Sequence, residues 1–110
     1  MSRAKGDEAE TKASTYLLEN GFFVLERNFY SRFGEIDIIA QKEKVLHFVE
    51  VKSAFDYESA IQNITPTKLS RFIKTLQIYL KKNALHNIDY MIDAIIVTPK
   101  QIYHLENITI

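Results

Sequence analysis

The sequence contains no cysteine, and its 110 residues include only three glycines and two prolines. Without cysteine there is no disulfide framework and no thiolate ligand for zinc, which excludes a small disulfide-stapled secreted scaffold and favours a reducing compartment. No run approaches the roughly 20 apolar residues that a membrane-spanning helix requires. We therefore expect a soluble cytoplasmic protein without a membrane partner, with residues 1–110 forming a single domain.

The formal net charge is zero, with 14 Lys+Arg and 14 Asp+Glu, so the chain lacks the overall basic character of most nucleic-acid-binding domains. The charges are nevertheless distributed unevenly. Residues 59–87 contain no acid but five cations, which are Lys68, Arg71, Lys74, Lys81 and Lys82. A solvated helix usually mixes both signs, so a functional basic face and an ordinary soluble surface are both open interpretations of this segment.

The spacing of apolar residues predicts an α/β fold with the element order α-β-β-β-α-β-β, a mixed sheet flanked by helices. The predicted elements span residues 3–20, 22–27, 35–40, 45–52, 66–82, 91–97 and 101–105. The second and third strands form a hairpin across the polar stretch 41–44. Thr65 and Pro66 supply a cap and a first-turn proline for the second helix.

The hairpin register brings acidic side chains together. An even-length loop at 41–44 places Asp37 on the same face as Glu50, with Lys52 one pleat further along, about 7 Å away. Glu35 and Phe48 share this charged face; the other face is aliphatic and carries Ile36, Ile38, Ala40, Val45, Val49 and Val51. Adjacent carboxylates repel unless a cation lies between them, and oxygen ligands suit Mg²⁺ or Mn²⁺. An ordinary charged pair on an edge strand is the alternative that spacing alone leaves open.

Glu10 is the third acidic candidate. On a helical projection it lies about 20° beyond Leu17, at the border of the apolar stripe of the first helix. Its position makes it the acid of that helix nearest the core. A border glutamate whose carboxylate reaches into water is the alternative.

The remaining titratable residues give weaker signals. His47, His86 and His104 fall on a strand, a loop and a strand, without the spacing of a zinc site. Asp93 stands alone in an apolar strand, where a buried acid needs a polar partner and could support a neighbouring site.

Several motifs taken together resemble those of the YraN-like bacterial proteins, an uncharacterised family whose members look like PD-(D/E)-x-K endonucleases and are similar to archaeal Holliday-junction resolvases. The most specific part is GEIDIIA at 34–40 followed by FVEVK at 48–52. The other matching stretches are GDEAE at 6–10, Tyr16-Leu17, Arg27-Asn28, Lys68 with Arg71, and IDAIIV at 92–97. The resemblance therefore covers almost the whole chain.

The resemblance implies a restriction-endonuclease-like core and a divalent metal, Mg²⁺ or Mn²⁺. Asp37 and Glu50 would hold the metal, the backbone carbonyl of Val51 would complete the ligand set, Glu10 would assist from the helix, and Lys52 would be the catalytic lysine. The implied activity is hydrolysis of phosphodiester bonds in DNA, with branched or otherwise structured DNA as the expected partner. Since resolvase-like relatives act as symmetric dimers, a homodimer is a second partner to consider.

The DNA contacts are expected from Lys68, Arg71 and Lys74 on the second helix. Two departures from the family pattern weaken the expected phosphate contact, because Tyr30 and Ala54 stand where many members have arginine. These departures and the zero net charge keep a second function open, a non-catalytic nucleic-acid-binding or interaction module that retains the nuclease fold.

Overall fold

The computed structural model describes residues 3–108 and, within them, the side chains of residues 7–108. A five-stranded sheet lies at its centre, in the order β1-β2-β3-β4-β5, with all neighbours antiparallel except the parallel pair β3–β4. The elements are α1 (Arg3–Glu19), β1 (Phe23–Ser31), β2 (Gly34–Lys42), β3 (Val45–Ser53), α2 (Tyr57–Ile61), α3 (Pro66–Lys82), β4 (Asp89–Val97) and β5 (Ile102–Leu105). The predicted fold class and order are confirmed, with the one-turn helix α2 as an addition.

Several predicted strands were too short, and the predicted hairpin loop was too long. β1 continues to Ser31 rather than ending near residue 27. The β2–β3 turn consists only of Glu43 and Lys44, whose φ angles of 52° and 68° are those of a type I′ turn. Such turns usually carry Asn or Gly, so this polar pair gave no signal for so tight a turn. The turn still has an even length, and the register pairs Ile38 with Val49.

The sheet is covered on both faces. α1 packs on one face through Ala9, Ala13 and Leu17. α3 packs on the other face through residues such as Phe72 and Leu76. It also forms the crossover that the parallel β3–β4 pair requires. Within residues 3–108, no helix combines the length and the apolar character needed to span a membrane.

The alternation of side chains along β2 is interrupted at Asp37. Ile36 packs in the core on the α3 side, whereas Ile38, two residues later, packs in the core on the α1 side. A regular pleat would place both on one face, so the prediction that Ile36 shares the aliphatic face with Ile38 is wrong. The irregularity lies opposite Asn28 of β1, which has a φ of 55°. It turns Asp37 away from the position that strict alternation would give it.

Candidate metal centre and nucleic-acid interface

Three acidic side chains from two elements meet at one end of the sheet. One carboxylate oxygen from each of Glu10, Glu35 and Asp37 lies within 4.8 Å of the other two. Glu10 and Asp37 are 8% and 7% exposed. The side-chain amide of Asn28 bridges the cluster, since its Nδ2 donates to Glu10 at 2.8 Å and to Glu35 at 3.2 Å. The donors are all oxygens, as Mg²⁺ and Mn²⁺ prefer.

Asp37 occupies a gap between β2 and β3. The regular pairing of these strands ends at Ile38 and Val49, and beyond it the Oδ2 atom of Asp37 accepts a 2.7 Å hydrogen bond from the backbone N–H of Val51. In an extended strand the N–H and C=O of one residue project toward the same neighbour. The carbonyl of Val51 therefore also faces the Asp37 side, where the resemblance would have it act as a ligand.

The electrostatics of the cluster are unfavourable without a cation. Burial, reinforced by the neighbouring Glu50 carboxylate, raises the pKa of Asp37 from 3.8 to about 9, although the hydrogen bond from Val51 opposes this rise. Glu10 adds a smaller repulsion. A divalent cation would supply the missing positive charge and favour the ionised carboxylate.

Glu50 and Lys52 extend the cluster toward α3. The Glu50 carboxyl lies within hydrogen-bonding reach of Asp37, and its Oε1 atom lies 3.7 Å from the Nζ atom of Lys52. The side chains of Glu50 and Lys52 are 30% and 28% exposed. Together with Lys68 of α3 they line one small cleft. The ammonium of Lys52 is thus open to solvent beside the acids.

Arg27 and Asn28, which sequence reasoning used only to support the resemblance, hold Glu10 in place. The Nη2 atom of Arg27 lies 3.6 Å from Oε1 of Glu10 and donates to Oγ1 of Thr11 at 3.4 Å. Glu10 is therefore a buried, paired acid and does not reach into open water. The left-handed φ of Asn28 suits an asparagine better than most residues, but nothing in the sequence marked its amide as a bridge between two acids.

The cations of α3 are exposed, as predicted, and their surroundings differ along the helix. Lys68, in the first turn, borders the cleft of Glu50 and Lys52. Lys74 lies one to two turns further along, with its Nζ atom 5.2 Å from the ring centroid of Phe33 in the β1–β2 turn. The first half of α3 therefore flanks the acidic site.

Two of the three histidines, His47 and His104, meet at Asp93, although the sequence placed them on separate strands. The buried Oδ2 atom of Asp93 accepts from Nδ1 of His47 at 2.7 Å and from Nε2 of His104 at 2.8 Å. The backbone N–H of Asn107 donates to Oδ1 at 3.1 Å, and the Tyr16 hydroxyl of α1 lies 3.3 Å from Nδ1 of His104. Burial by itself would raise the pKa of Asp93, but the hydrogen bonds from His104, His47 and Asn107 outweigh it and lower that pKa. The network ties α1 to the sheet.

The fold is similar to that of a solved structure. Holliday junction resolvase Hjc of Archaeoglobus fulgidus shares the fold with a TM-score of 0.57, over 88% of this chain and 72% of the resolvase chain, at 14% sequence identity. The chain therefore has a resolvase-like, restriction-endonuclease-like fold with a buried carboxylate cluster compatible with a metal ion.

The chain belongs to the uncharacterised protein family UPF0102, the YraN-like family, whose pattern matches residues 9–97. A UPF0102 protein of Sulfurimonas denitrificans is 71% identical over the full length of both chains. A UPF0102 protein of Aliarcobacter butzleri is 54% identical over 99% of both chains. Another, from Helicobacter pylori, is 51% identical over 97% of this chain and 92% of the relative. The resemblance drawn from the sequence is confirmed.

Proposed function

We propose that residues 1–110 act as a single metal-dependent endonuclease domain that hydrolyses phosphodiester bonds in branched or structured DNA. The observation that carries this proposal is the set of Glu10, Glu35 and Asp37, whose ligand atoms lie within 4.8 Å of one another, with Glu10 and Asp37 buried and Glu35 partly buried. Arg27 approaches only one of them, from the rim. Repulsion in such a cluster is relieved by a divalent ion.

The residues that would hold Mg²⁺ or Mn²⁺ are Asp37, Glu50, the carbonyl of Val51 and Glu10, and the geometry adds Glu35 to this set. When bound, the ion would polarise the scissile phosphate and acidify a water molecule. All of these groups come from strands except Glu10, which comes from a helix, so the assembly of the set depends on packing of α1 against the sheet.

Lys52 has a different role in this proposal. Its ammonium lies 3.7 Å from Glu50 and is partly exposed, so it can approach a phosphate that reaches the cleft. There it would orient the attacking water or stabilise the negative charge that develops on the phosphoryl oxygens. Its own positive charge makes it unsuitable as a metal ligand.

Branched DNA as the substrate is supported by two observations. A protein named as a Holliday junction resolvase shares the fold, and Lys68, Arg71 and Lys74 lie exposed on the helix that flanks the site. In the proposal these three cations contact backbone phosphates. A homodimer would present two such sites to two of the four strands of a four-way junction.

The test is a Mn²⁺-supplemented cleavage screen on single-stranded, duplex, flap and four-way-junction DNA. Asp37→Asn serves as the matched control, because it keeps the shape of the side chain and removes its charge. The proposal predicts cleavage by the wild type and none by the variant. Equal cleavage by both proteins would indicate a contaminant. Junction binding without cleavage under any metal would favour the non-catalytic binding module.

A further inference from the structure

Two cations lie near one aromatic ring at the turn between β1 and β2. The guanidinium carbon of Arg32 lies 4.8 Å from the ring centroid of Phe33. The Nζ atom of Lys74, from α3, lies 5.2 Å from the centroid of the same ring. A single aromatic side chain therefore gathers two positive charges from two different elements, through the attraction of a cation to the π face.

Directed hydrogen bonds fix the turn against α3. The hydroxyl of Thr75 donates to the carbonyl of Arg71 at 3.2 Å, so in the 2.8 Å contact between Ser31 and Thr75 the Ser31 hydroxyl is the donor. The Ser31 oxygen in turn accepts from the backbone N–H of Phe33 at 3.0 Å. Thr75 is fully buried, which makes this connection a rigid one and holds Phe33 beside the helix.

The two cations have no acidic partner within the described part of the chain. Neither Arg32 nor Lys74 forms an ion pair with a described carboxylate, whereas Lys12, Arg27 and Lys52 each do. Two like charges near one ring repel each other, and an anion that binds both would offset this repulsion. Both side chains are exposed and can reach such an anion.

We propose that Arg32 and Lys74, positioned by Phe33, form a clamp for one backbone phosphate of a nucleic-acid strand. The identity of the ligand rests on the proposed function, but the clamp itself requires only nucleic-acid binding. It adds Arg32 and Phe33 to the α3 interface. It also assigns Lys74 to one particular phosphate together with the β1–β2 turn.

The strand geometry locates this phosphate relative to the acidic site. Arg32 precedes Asp37 by five residues, a separation of at most about 17 Å along an extended chain. Phosphates of one DNA strand advance about 3.4 Å each along the duplex axis. The clamped phosphate is therefore expected within about five nucleotides of the one that reaches Asp37.

The test measures binding separately from cleavage, by fluorescence anisotropy with four-way-junction and duplex DNA in Ca²⁺ over a range of salt concentrations. Arg32→Gln and Lys74→Gln should each weaken binding to both DNAs and reduce the slope of log K against log salt by about 0.9. Phe33→Leu keeps both charges but removes the ring, so we expect a smaller loss, about threefold, without a full unit of slope. Lys44→Gln, in the turn at the other end of β2, is the matched control and should change neither the affinity for DNA nor the salt slope.

Replacing the DNA phosphates one at a time with neutral methylphosphonates identifies the phosphate that the clamp binds. Neutralising the clamped phosphate should weaken wild-type binding but cause little further loss in Arg32→Gln. Unchanged binding by all three clamp variants would overturn the clamp, while wild-type cleavage would leave the endonuclease proposal standing. Clamp-dependent binding without any cleavage would support the clamp and contradict the endonuclease. A wild type that binds no nucleic acid would overturn the clamp as well.

Discussion

Replacing Asp37 with asparagine should stabilise the metal-free protein, although it removes a residue of the proposed active site. The Asp37 carboxyl is buried beside Glu50, which raises its pKa to about 9. In the unfolded chain the same group titrates near its ordinary value of 3.8. Between these two values the folded protein must retain a proton that the unfolded chain releases.

The sign and size of the effect follow from this difference. Because the carboxyl pKa is raised, the wild type has its full free energy of unfolding below about pH 4 and loses part of it as the pH rises toward 9. Each pH unit costs at most 1.36 kcal/mol, so the loss approaches about 4 kcal/mol at pH 7. The asparagine side chain would have no proton to retain and would still offer an oxygen to the Val51 N–H. We expect Asp37→Asn to gain about 1–4 kcal/mol at pH 7, and more at pH 8 than at pH 6.

Urea unfolding in EDTA at pH 5, 6, 7 and 8 measures this gain directly. Glu19→Gln, at the exposed end of α1, is the control for loss of one negative charge and should show no comparable pH dependence. Added Mn²⁺ should make the wild type more stable than Asp37→Asn, because only the wild type is expected to bind the ion well. The reasoning is refuted if the metal-free wild type is equally stable from pH 5 to pH 8 and the Asp37→Asn variant gains nothing.

Three further predictions concern the other buried or site residues. Titration calorimetry should detect Mn²⁺ binding to the wild type that disappears in Glu50→Ala and is weakened less in Glu10→Gln; equal binding in Glu50→Ala would place the metal elsewhere. Lys52→Ala should keep the fold and at least wild-type metal binding but lose about 10² or more in single-turnover cleavage rate, and unchanged cleavage would remove Lys52 from the mechanism. Asp93→Asn should cost about 2–4 kcal/mol of unfolding free energy at pH 7, because a charged acceptor of three hydrogen bonds is lost. Since the pKa of Asp93 is lowered, that deficit should shrink as the pH falls below about 4; a constant deficit would mean that the charge contributes nothing.

The adjacency of Asp37 and Glu50 could be predicted because it depends only on whether the hairpin loop has an even or an odd number of residues. The sequence suggested a four-residue loop at 41–44, while the observed turn has two residues, Glu43 and Lys44. Both lengths are even, so both give pairs whose residue numbers have an odd sum, as Ile38 and Val49 do in the structure. The predicted second strand ended two residues before Lys42, which shifts every facing partner by two positions but keeps Asp37 and Glu50 on one face.

The contacts that sequence reasoning missed depend on irregular backbone or on distant registers. Periodicity assumes an unbroken pleat, so it could not place Ile36 on the α3 side or bring Asn28 between two acids. The meeting of His47 with Asp93 depends on the parallel register of β3 and β4, in which Asp93 lies opposite Val49. A crossover helix sets that register through its packing, and no local turn signal encodes it.

The break in β2 also explains how residues from opposite faces of the sheet come close to Asp37. Glu10 belongs to α1, which covers one face, whereas Glu50 and Lys52 border the cleft beside α3 on the other. In an unbroken sheet, paired backbone groups would separate them. Here the pairing of β2 with β3 covers residues 38–42 and does not include Asp37. The Asp37 side chain fills the opening and accepts a hydrogen bond from the backbone N–H of Val51. The interruption of the ladder thus lies where the Asp37 carboxylate is near both Glu10 of α1 and Glu50 of β3. A substitution that restored regular pairing there should move the Asp37 carboxylate away from one of these two acids.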